Sequence, residues 1–283
     1  MTLVNRRPFL QKTEIGADRP FFVIAGPCVI ESRDLLARVC EPMLAVCQKL
    51  GIPYVFKSSF DKANRSSIGS RRGPGLEEGL RDLEYIKSTF GVPLLTDVHA
   101  VDQVQSVAQV VDILQIPAFL SRQTDLVVAC ARTNAWVNVK KGQFLAPADC
   151  VPIVEKIRSS GSERYLITER GATFGYNNLV FDPRSMEILH RADIPVIMDA
   201  THSTQLPGGG AESGGNREYV PLMARTAVAA GIEGLFMEVH PDPDKAWSDA
   251  SNQYPLARAP ELIERLFALD QMIKQSGGLL ANY

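Results

Sequence analysis

Short apolar runs of strand length alternate with longer segments whose apolar residues recur every three or four positions, and from residue 21 onward this alternation repeats eight times. The runs predict strands over 21–26, 54–58, 93–98, 113–117, 136–139, 165–169, 196–199 and 234–239. The amphipathic segments predict helices over about 32–50, 75–90, 101–110, 124–132, 149–159, 184–191, 217–230 and 260–275. Eight strand–helix units in about 260 residues are the arithmetic of a (β/α)8, or TIM, barrel, expected here as a single α/β domain over 21–283. Residues 1–20 fall outside the count and are expected to form an N-terminal extension, a short hairpin capping the bottom of the barrel. An open doubly wound sheet ranks second, because no GxGxxG follows the first strand and Gly26-Pro27-Cys28 does not replace it. Gly51, Gly91, Gly161 and Gly231 each stand where a helix should stop. No linker or low-complexity tract divides the chain.

In such a barrel the chemistry lies at the C-terminal ends of the strands. Those ends carry Cys28, Lys57, Asp97 with His99, Gln115, Lys140 with Lys141, Glu169 with Arg170, Asp199 with His202, and Glu238 with His240. All are polar or ionisable. Gathering that many at one rim without mutual pairing or a ligand would be costly, so the rim reads as a site. The stretch FKSSFDKANRSSIGSRRGPG (56–75) adds Lys57, Lys62, Arg65, Arg71 and Arg72 among serines and glycines, a composition for holding phosphate. A solvated basic loop is the bland alternative, weakened by the position of the run directly after an apolar strand.

Two subsets separate by chemistry. Lys57, Lys62, Arg65, Lys140 and Arg170 are charge enough for more than one phosphate, or for a phosphate and a carboxylate. Cys28, His202, Glu238 and Asp249 form a sulfur, nitrogen and oxygen set suited to a divalent transition ion, with the cysteine as thiolate. They converge only if the barrel closes, and spacing leaves His99 and His240 as rival ligands. The segment GGGAESGGN (208–216) is glycine-rich enough for a mobile lid, with plain disorder as the alternative.

Composition narrows the partners. A net charge of −2, with 30 basic and 32 acidic residues, argues against nucleic acid or an anionic membrane as the main partner. There is no apolar run of eighteen residues and no signal-peptide pattern at the N-terminus, which predicts the cytoplasm. The five cysteines form no CxxC pair and suit free thiols in a reducing compartment; Cys40 and Cys47 are expected on one buried helix face.

The segments FKSSFDKANRSS, RRGPGLEEGL, TDVH, LQIPAFLSRQTDL, NVKKGQF, ERGATFGYNNLV, MDATHSTQLPG and FMEVHPDPDKAWSDAS resemble, in order, the motifs of the 3-deoxy-D-manno-octulosonate 8-phosphate synthase family, also called 2-dehydro-3-deoxyphosphooctonate aldolases. The resemblance spans about 21–256. It implies a barrel, usually a homotetramer, that condenses phosphoenolpyruvate with D-arabinose 5-phosphate and releases phosphate, on the route to the lipopolysaccharide inner core. It implies that Lys57, Lys62, Lys140 and Arg170 hold phosphoenolpyruvate, assisted by Ser59, Gln115, Ala118 and Phe119. Asn64, Arg65 and Ser66 would take the sugar phosphate, and Arg122 would reach a neighbouring subunit's site. The related synthase of the aromatic pathway has KPRTS where this chain has KANRS, which decides the acceptor.

Within the family, metal-independent members carry Asn at the position of Cys28 and tend to have DGP where this chain has Asp249-Ala250-Ser251. Both positions therefore resemble the metal-dependent class, which uses Cys28, His202, Glu238 and Asp249 and neither His99 nor His240. Fe²⁺, Zn²⁺ and Mn²⁺ are all compatible. The implied catalytic residues are Lys62, Asp97, Lys140 and His202, with Asp97 and His202 as the groups that move protons. Two competitors stay open: a metal-dependent hydrolase, which needs no second anion cluster, and a non-catalytic sugar-phosphate sensor, which needs no thiolate-containing metal set.

Overall fold

The computed structural model describes residues 4–64, 69–174, 176–207 and 214–275. Eight parallel strands run through it: β1 (Phe22–Gly26), β2 (Tyr54–Lys57), β3 (Leu94–Asp97), β4 (Ile113–Ile116), β5 (Trp136–Lys140), β6 (Tyr165–Glu169), β7 (Val196–Asp199) and β8 (Gly234–His240). Each pairs with the next, and β8 pairs with both β7 and β1, so the ring closes. Eight helices cover it: α1 (Arg33–Leu50), α2 (Leu76–Phe90), α3 (Val104–Ala108), α4 (Thr124–Ala131), α5 (Val151–Ser159), α6 (Arg184–His190), α7 (Val220–Ala230) and α8 (Ala259–Gln275). The (β/α)8 expectation holds, and the doubly wound alternative falls with the closing pairs.

Strand periodicity sorts the apolar residues into two cores. One set, including Val23, Ala25, Tyr54, Phe56, Leu94, Leu114, Val137, Ile167 and Met198, packs outward against the helices. The other faces the lumen: Phe22, Ile24, Val55, Leu95, Ile113, Trp136, Leu166, Ile197 and Phe236. Two residues further along, the lumen position turns polar in seven strands: Lys57, Asp97, Gln115, Asn138, Thr168, Asp199 and Glu238, with Lys140 two beyond Asn138. The lumen is therefore greasy below and charged above.

The N-terminal segment pairs Arg7–Pro8 with Glu14–Ile15 as an antiparallel hairpin. Phe9 and Ile15 join the lumen core, Phe9 packing 4.6 Å from the ring of Phe22 and 5.0 Å, edge-on, from Trp136. Arg7 Nη2 donates to the carboxylate and the carbonyl of Asp193 at 2.7 and 2.6 Å, which fastens the hairpin to the barrel floor.

Several predicted elements differ in detail. Three helix expectations, 101–110, 149–159 and 217–230, open or are preceded by 3-10 turns at Val101–Gln103, Pro147–Cys150 and Arg217–Tyr219. Two small hairpins on the upper face were not expected: Ala172–Thr173 with Leu179–Val180, and Gln205–Leu206 with Gly214–Gly215. Of the glycine-rich stretch 208–216, residues 208–213 lie outside the described residues. Cys40 and Cys47 are both fully buried on α1, as their spacing predicts. At Gly26 a Cβ would sit 1.9 Å from the carbonyl oxygen of Lys57, so only glycine lets β1 and β2 approach where the site begins.

Phe9→Ala is expected to remove about 3 kcal/mol of stability by opening a cavity at the barrel floor. Urea unfolding measures it, and a loss under about 1 kcal/mol would mean the hairpin rests on the barrel without sealing it.

Candidate active site at the barrel mouth

Above the polar layer lies a cavity of about 510 Å³, lined among others by Lys57, Lys62, Asn64, Asp97, Gln115, Ala118, Phe119, Lys140, Arg170, His202, Glu238 and Asp249. Five strands and five loops deliver these side chains, so the convergence exists only in the closed ring.

The premise that a crowded rim demands a ligand is corrected by the pairing found there. Lys57 Nζ donates to Glu238 Oε1 at 2.7 Å and to the carbonyl of Cys28 at 2.9 Å, with both partners of the ion pair about 1% exposed. Lys140 bonds Asp199 and lies 3.6 Å from the ring centroid of Phe236. Lys141 and Glu169 pair at 3.4 Å, Lys141 Nζ also reaching the carbonyl of Leu145. Neither lines the cavity, and their role is to hold the loop after β5. His240 Nε2 faces Glu31 at 3.4 Å, also away from the cavity. His99 lines the cavity while packing edge-on against Phe60.

What remains unpaired is more telling. Arg170 gives one bond, Nη2 to Gln205 Oε1 at 2.5 Å, while its buried Nη1 has no partner. Lys62 Nζ has only a loose 3.8 Å approach to Glu238. These two cations, with Lys140 between strands β5 and β7, are placed to take the oxygens of an anion.

One hydrogen-bonded row crosses the lumen. Thr168 Oγ1 donates to Asn138 Oδ1 (2.7 Å), Asn138 Nδ2 to Gln115 Oε1 (2.8 Å), and Gln115 Nε2 to Asp97 Oδ1 (2.5 Å). Ser59 donates to the other oxygen of Asp97. Burial works against the Asp97 charge, but Lys57 and Lys62 outweigh it and hold this carboxyl far below the usual range.

Three of the four residues expected to bind a metal converge, and His202 stands beside two of them. Donor atoms of Cys28, Glu238 and Asp249 all lie within 4.8 Å of one another. His202 Nε2 stands 3.6 Å from Glu238 Oε2 and 3.7 Å from Asp249 Oδ2. Glu238 Oε2 is buried with no hydrogen-bond partner. Cys28 Sγ is 3.1 Å from both Asp249 Oδ2 and Ser248 Oγ. Burial, then the neighbouring Glu238, pushes the Cys28 thiol well up, so a thiolate there needs a cation beside it. An orphaned carboxylate oxygen, a second carboxylate and a sulfur around one point, with a histidine nitrogen beside the two carboxylates, fit a divalent ion. Asp249 itself sits at φ +47°, a left-handed conformation that Asp tolerates better than most residues.

Of the expected substrate residues, Lys57, Lys62, Asn64, Gln115, Ala118, Phe119, Lys140 and Arg170 line the cavity. Ser59 stands behind it as a support for Asp97. Arg122 is exposed and does not line it; its carbonyl accepts from Lys156 at 3.1 Å. Arg65 and Ser66 lie outside the described residues. Sequence reasoning missed Gln205, which joins Arg170 to Asp249 by donating Nε2 to Asp249 Oδ1 at 3.2 Å. It also missed Gln253, whose Oε1 accepts from the Cys28 amide and whose Nε2 donates to the Ser248 carbonyl. No local signal marks either, since Gln205 acts on Arg170 and Asp249, and Gln253 on the Cys28 amide, from far along the chain. Asn138 and Thr168 carried a usable signal, the strand alternation that puts them on the lumen side two residues after Trp136 and Leu166.

A closed (β/α)8 barrel with buried cations, an ionised carboxylate and a sulfur-containing donor set at its upper mouth is an enzyme scaffold for small anionic substrates. Comparison with known proteins then specifies the family. Residues 5–275 match the DAHP synthetase I family. The chain is 56% identical over 273 residues to the 2-dehydro-3-deoxyphosphooctonate aldolase of Bordetella pertussis, an alignment covering 94% of this chain and 96% of that one. It is 52% identical over 272 residues to the same-named protein of Geobacter sulfurreducens (96% and 100% covered). With that of Xanthomonas campestris pv. campestris it shares 56% over 265 residues (93% and 96%). The chain belongs to the 2-dehydro-3-deoxyphosphooctonate aldolase family, within the DAHP synthetase I family.

Burial disfavours the Glu238 charge, yet Lys57, His202 and Lys62 hold its pKa down, from an ordinary 4.5 to about 2. A depressed folded-state pKa contributes stability that is present above the ordinary value and lost as pH falls through about 2. Denaturant midpoints of the metal-free protein should therefore drop more steeply across that acid window than those of Glu238→Gln. Parallel curves would show that Glu238 is not held in this way.

Proposed function

We propose that this protein condenses phosphoenolpyruvate with D-arabinose 5-phosphate and water, giving 3-deoxy-D-manno-octulosonate 8-phosphate and inorganic phosphate. The observation that carries the reading is the convergence of Lys57, Lys62, Lys140 and Arg170 on one cavity. It occurs in a chain that matches proteins named for the octonate aldol reaction along nearly its full length.

C3 of phosphoenolpyruvate attacks the aldehyde carbon of the sugar, forming the C–C bond, while water adds at C2. The resulting hemiketal phosphate breaks its C2–O bond and expels phosphate. Two mutually repelling anions must be aligned, which is the task of the cations. The unpartnered Nη1 of Arg170 and the loosely held Lys62 receive oxygens of phosphoenolpyruvate. Lys140 sits over the Phe236 ring and exchanges part of its bond to Asp199 for the incoming carboxylate or phosphate. Gln115 lines the cavity beside them, and its amide is oriented by Asn138 and Asp97. Asn64 lines the cavity, and it is assigned to the sugar phosphate together with its sequence neighbours Arg65 and Ser66. Asp97, kept ionised, is assigned the proton of the adding water; His202, the other expected proton carrier, is committed to the ion through Nε2 and to Asp199 through Nδ1, which leaves it no nitrogen for the sugar oxygen.

Cys28, His202, Glu238 and Asp249 are assigned to a divalent ion, Fe²⁺, Zn²⁺ or Mn²⁺. When bound, such an ion supplies Lewis-acid chemistry at a substrate or water oxygen. Arg122 is exposed and stands outside its own subunit's cavity, and Phe119, Phe144 and Phe174 on neighbouring loops are each more than half exposed. Both features support a homotetramer in which Arg122 reaches a neighbouring site. The cytoplasm is assigned as the compartment, a reducing setting that suits five buried, unpaired cysteines. No helix among the described residues is long and apolar enough to cross a membrane.

The deciding assay follows phosphate release from phosphoenolpyruvate with and without arabinose 5-phosphate. Release only with both substrates is expected. Release from one alone would replace the reading with a hydrolase, and none from metal-loaded protein would replace it with a sugar-phosphate sensor. For the metal set, Cys28→Ala should stay folded by circular dichroism while losing bound ion and activity. Full activity of the native chain in a strong chelator would remove the metal from the reaction and leave the condensation in place.

A further inference from the structure

Asp199, at the tip of β7, is fully buried and carries five hydrogen bonds divided unevenly between its two oxygens. Oδ1 accepts from Thr201 N (3.1 Å), Thr201 Oγ1 (2.9 Å) and His202 N (2.9 Å). Oδ2 accepts from Lys140 Nζ and, at 2.7 Å, faces His202 Nδ1. An ionised carboxylate offers no proton, so the hydrogen of that last bond belongs to the imidazole. With Nδ1 protonated, the neutral ring presents the lone pair of Nε2 to the space shared with Glu238 Oε2 and Asp249 Oδ2, 3.6 and 3.7 Å away. Three acceptors facing one point favour a positive charge between them, such as a cation or a proton on Nε2.

We infer that Asp199 is a positioning residue that holds His202 as its Nδ1–H tautomer, aims Nε2 at the metal set, and through the same oxygen ties that set to Lys140 of the anion site. The inference deepens the proposed function and rests on its metal assignment. A partner that fixes a ligand's tautomer is a recurrent feature of histidine metal sites, and its loss typically lowers metal affinity by about 10–100-fold. Here one feature makes the consequence of a single substitution definite. Three donors clamp the Oδ1 position, so in Asp199→Asn the amide oxygen must occupy it and the NH₂ group must take the Oδ2 position. There it meets Lys140 and His202 with hydrogens. His202 can then keep a hydrogen bond only by accepting at Nδ1, which moves its proton to Nε2 and withdraws the lone pair from Glu238 and Asp249.

The test is histidine ¹⁵N NMR on the metal-free protein at a pH where the ring is neutral, with His202→Gln to assign the resonance, followed by zinc affinity from competition with a chelator. The wild type is expected to show Nδ1–H and Asp199→Asn to show Nε2–H, with zinc affinity lower by about 10–100-fold. Wild-type protein carrying Nε2–H would overturn the inference even if the variant did not fold. Asp199→Asn retaining both Nδ1–H and wild-type zinc affinity would also overturn it. Wild-type protein that binds no zinc would sink the metal assignment and the purpose given to the tautomer, whereas zinc binding without phosphate release would count against the condensation alone.

Discussion

The structure depends on closure of the strand ring by the β7–β8 and β8–β1 pairs. Until β8 lies between β7 and β1, Glu238 has no Lys57 to receive, and Cys28 has neither Asp249 nor Ser248 beside it. Closure also buries the charges it assembles. Stripping water from Lys57, Asp97, Lys140, Asp199 and Glu238 is costly, and the offset comes from the cross-strand pairs Lys57–Glu238 and Lys140–Asp199 and, for Asp97, from the hydrogen bonds of Gln115 and Ser59. The paired rim is thus a cross-strand lattice as much as a binding surface. Its few unmatched atoms, Arg170 Nη1 and Glu238 Oε2, mark where ligands are needed.

The greasy layer below gives that lattice its rigidity. Phe22, Leu95, Ile113, Trp136 and Phe236 fill the lumen, and Phe9 of the hairpin completes the floor. Because the lumen is packed, the side chains two residues further up cannot sink into it and must present upward or pair sideways. The row from Thr168 through Asn138 and Gln115 to Asp97 lies just above this floor. Asp97, an acceptor only, sets the direction of every bond in the row.

The proposed anion site and the proposed metal set share structural members. Asp199 serves Lys140 on one side and His202 on the other, and Gln205 spans Arg170 and Asp249. A displacement of either subset is therefore felt by the other through two separate buried contacts. This suits a reaction in which two anions are brought against each other beside a cation, because the groups that bind them are held at fixed separation.

Much of this was legible along the chain. Apolar runs and helical spacing are local properties, so the eight units, their boundaries to within a few residues, and the polar strand tips could be read in order. Motif resemblance added the substrates and the cysteine-containing donor set. What the chain alone could not reveal was which tips face the cavity. Lys140 and Lys141 are adjacent and chemically alike, yet one lines the site and the other holds a loop, because successive strand residues point to opposite faces and register with β6 decides which is inward. Gln205 and Gln253 carry no local mark at all, since the site residues they hold, Arg170 and Asp249 for one and Cys28 for the other, are distant along the chain. The sequence by itself determined the elements and the chemical inventory. Only the tertiary structure decided the pairing of charges, because ion pairs and ligand sets form between residues distant along the chain, and their distances exist only once the ring is closed.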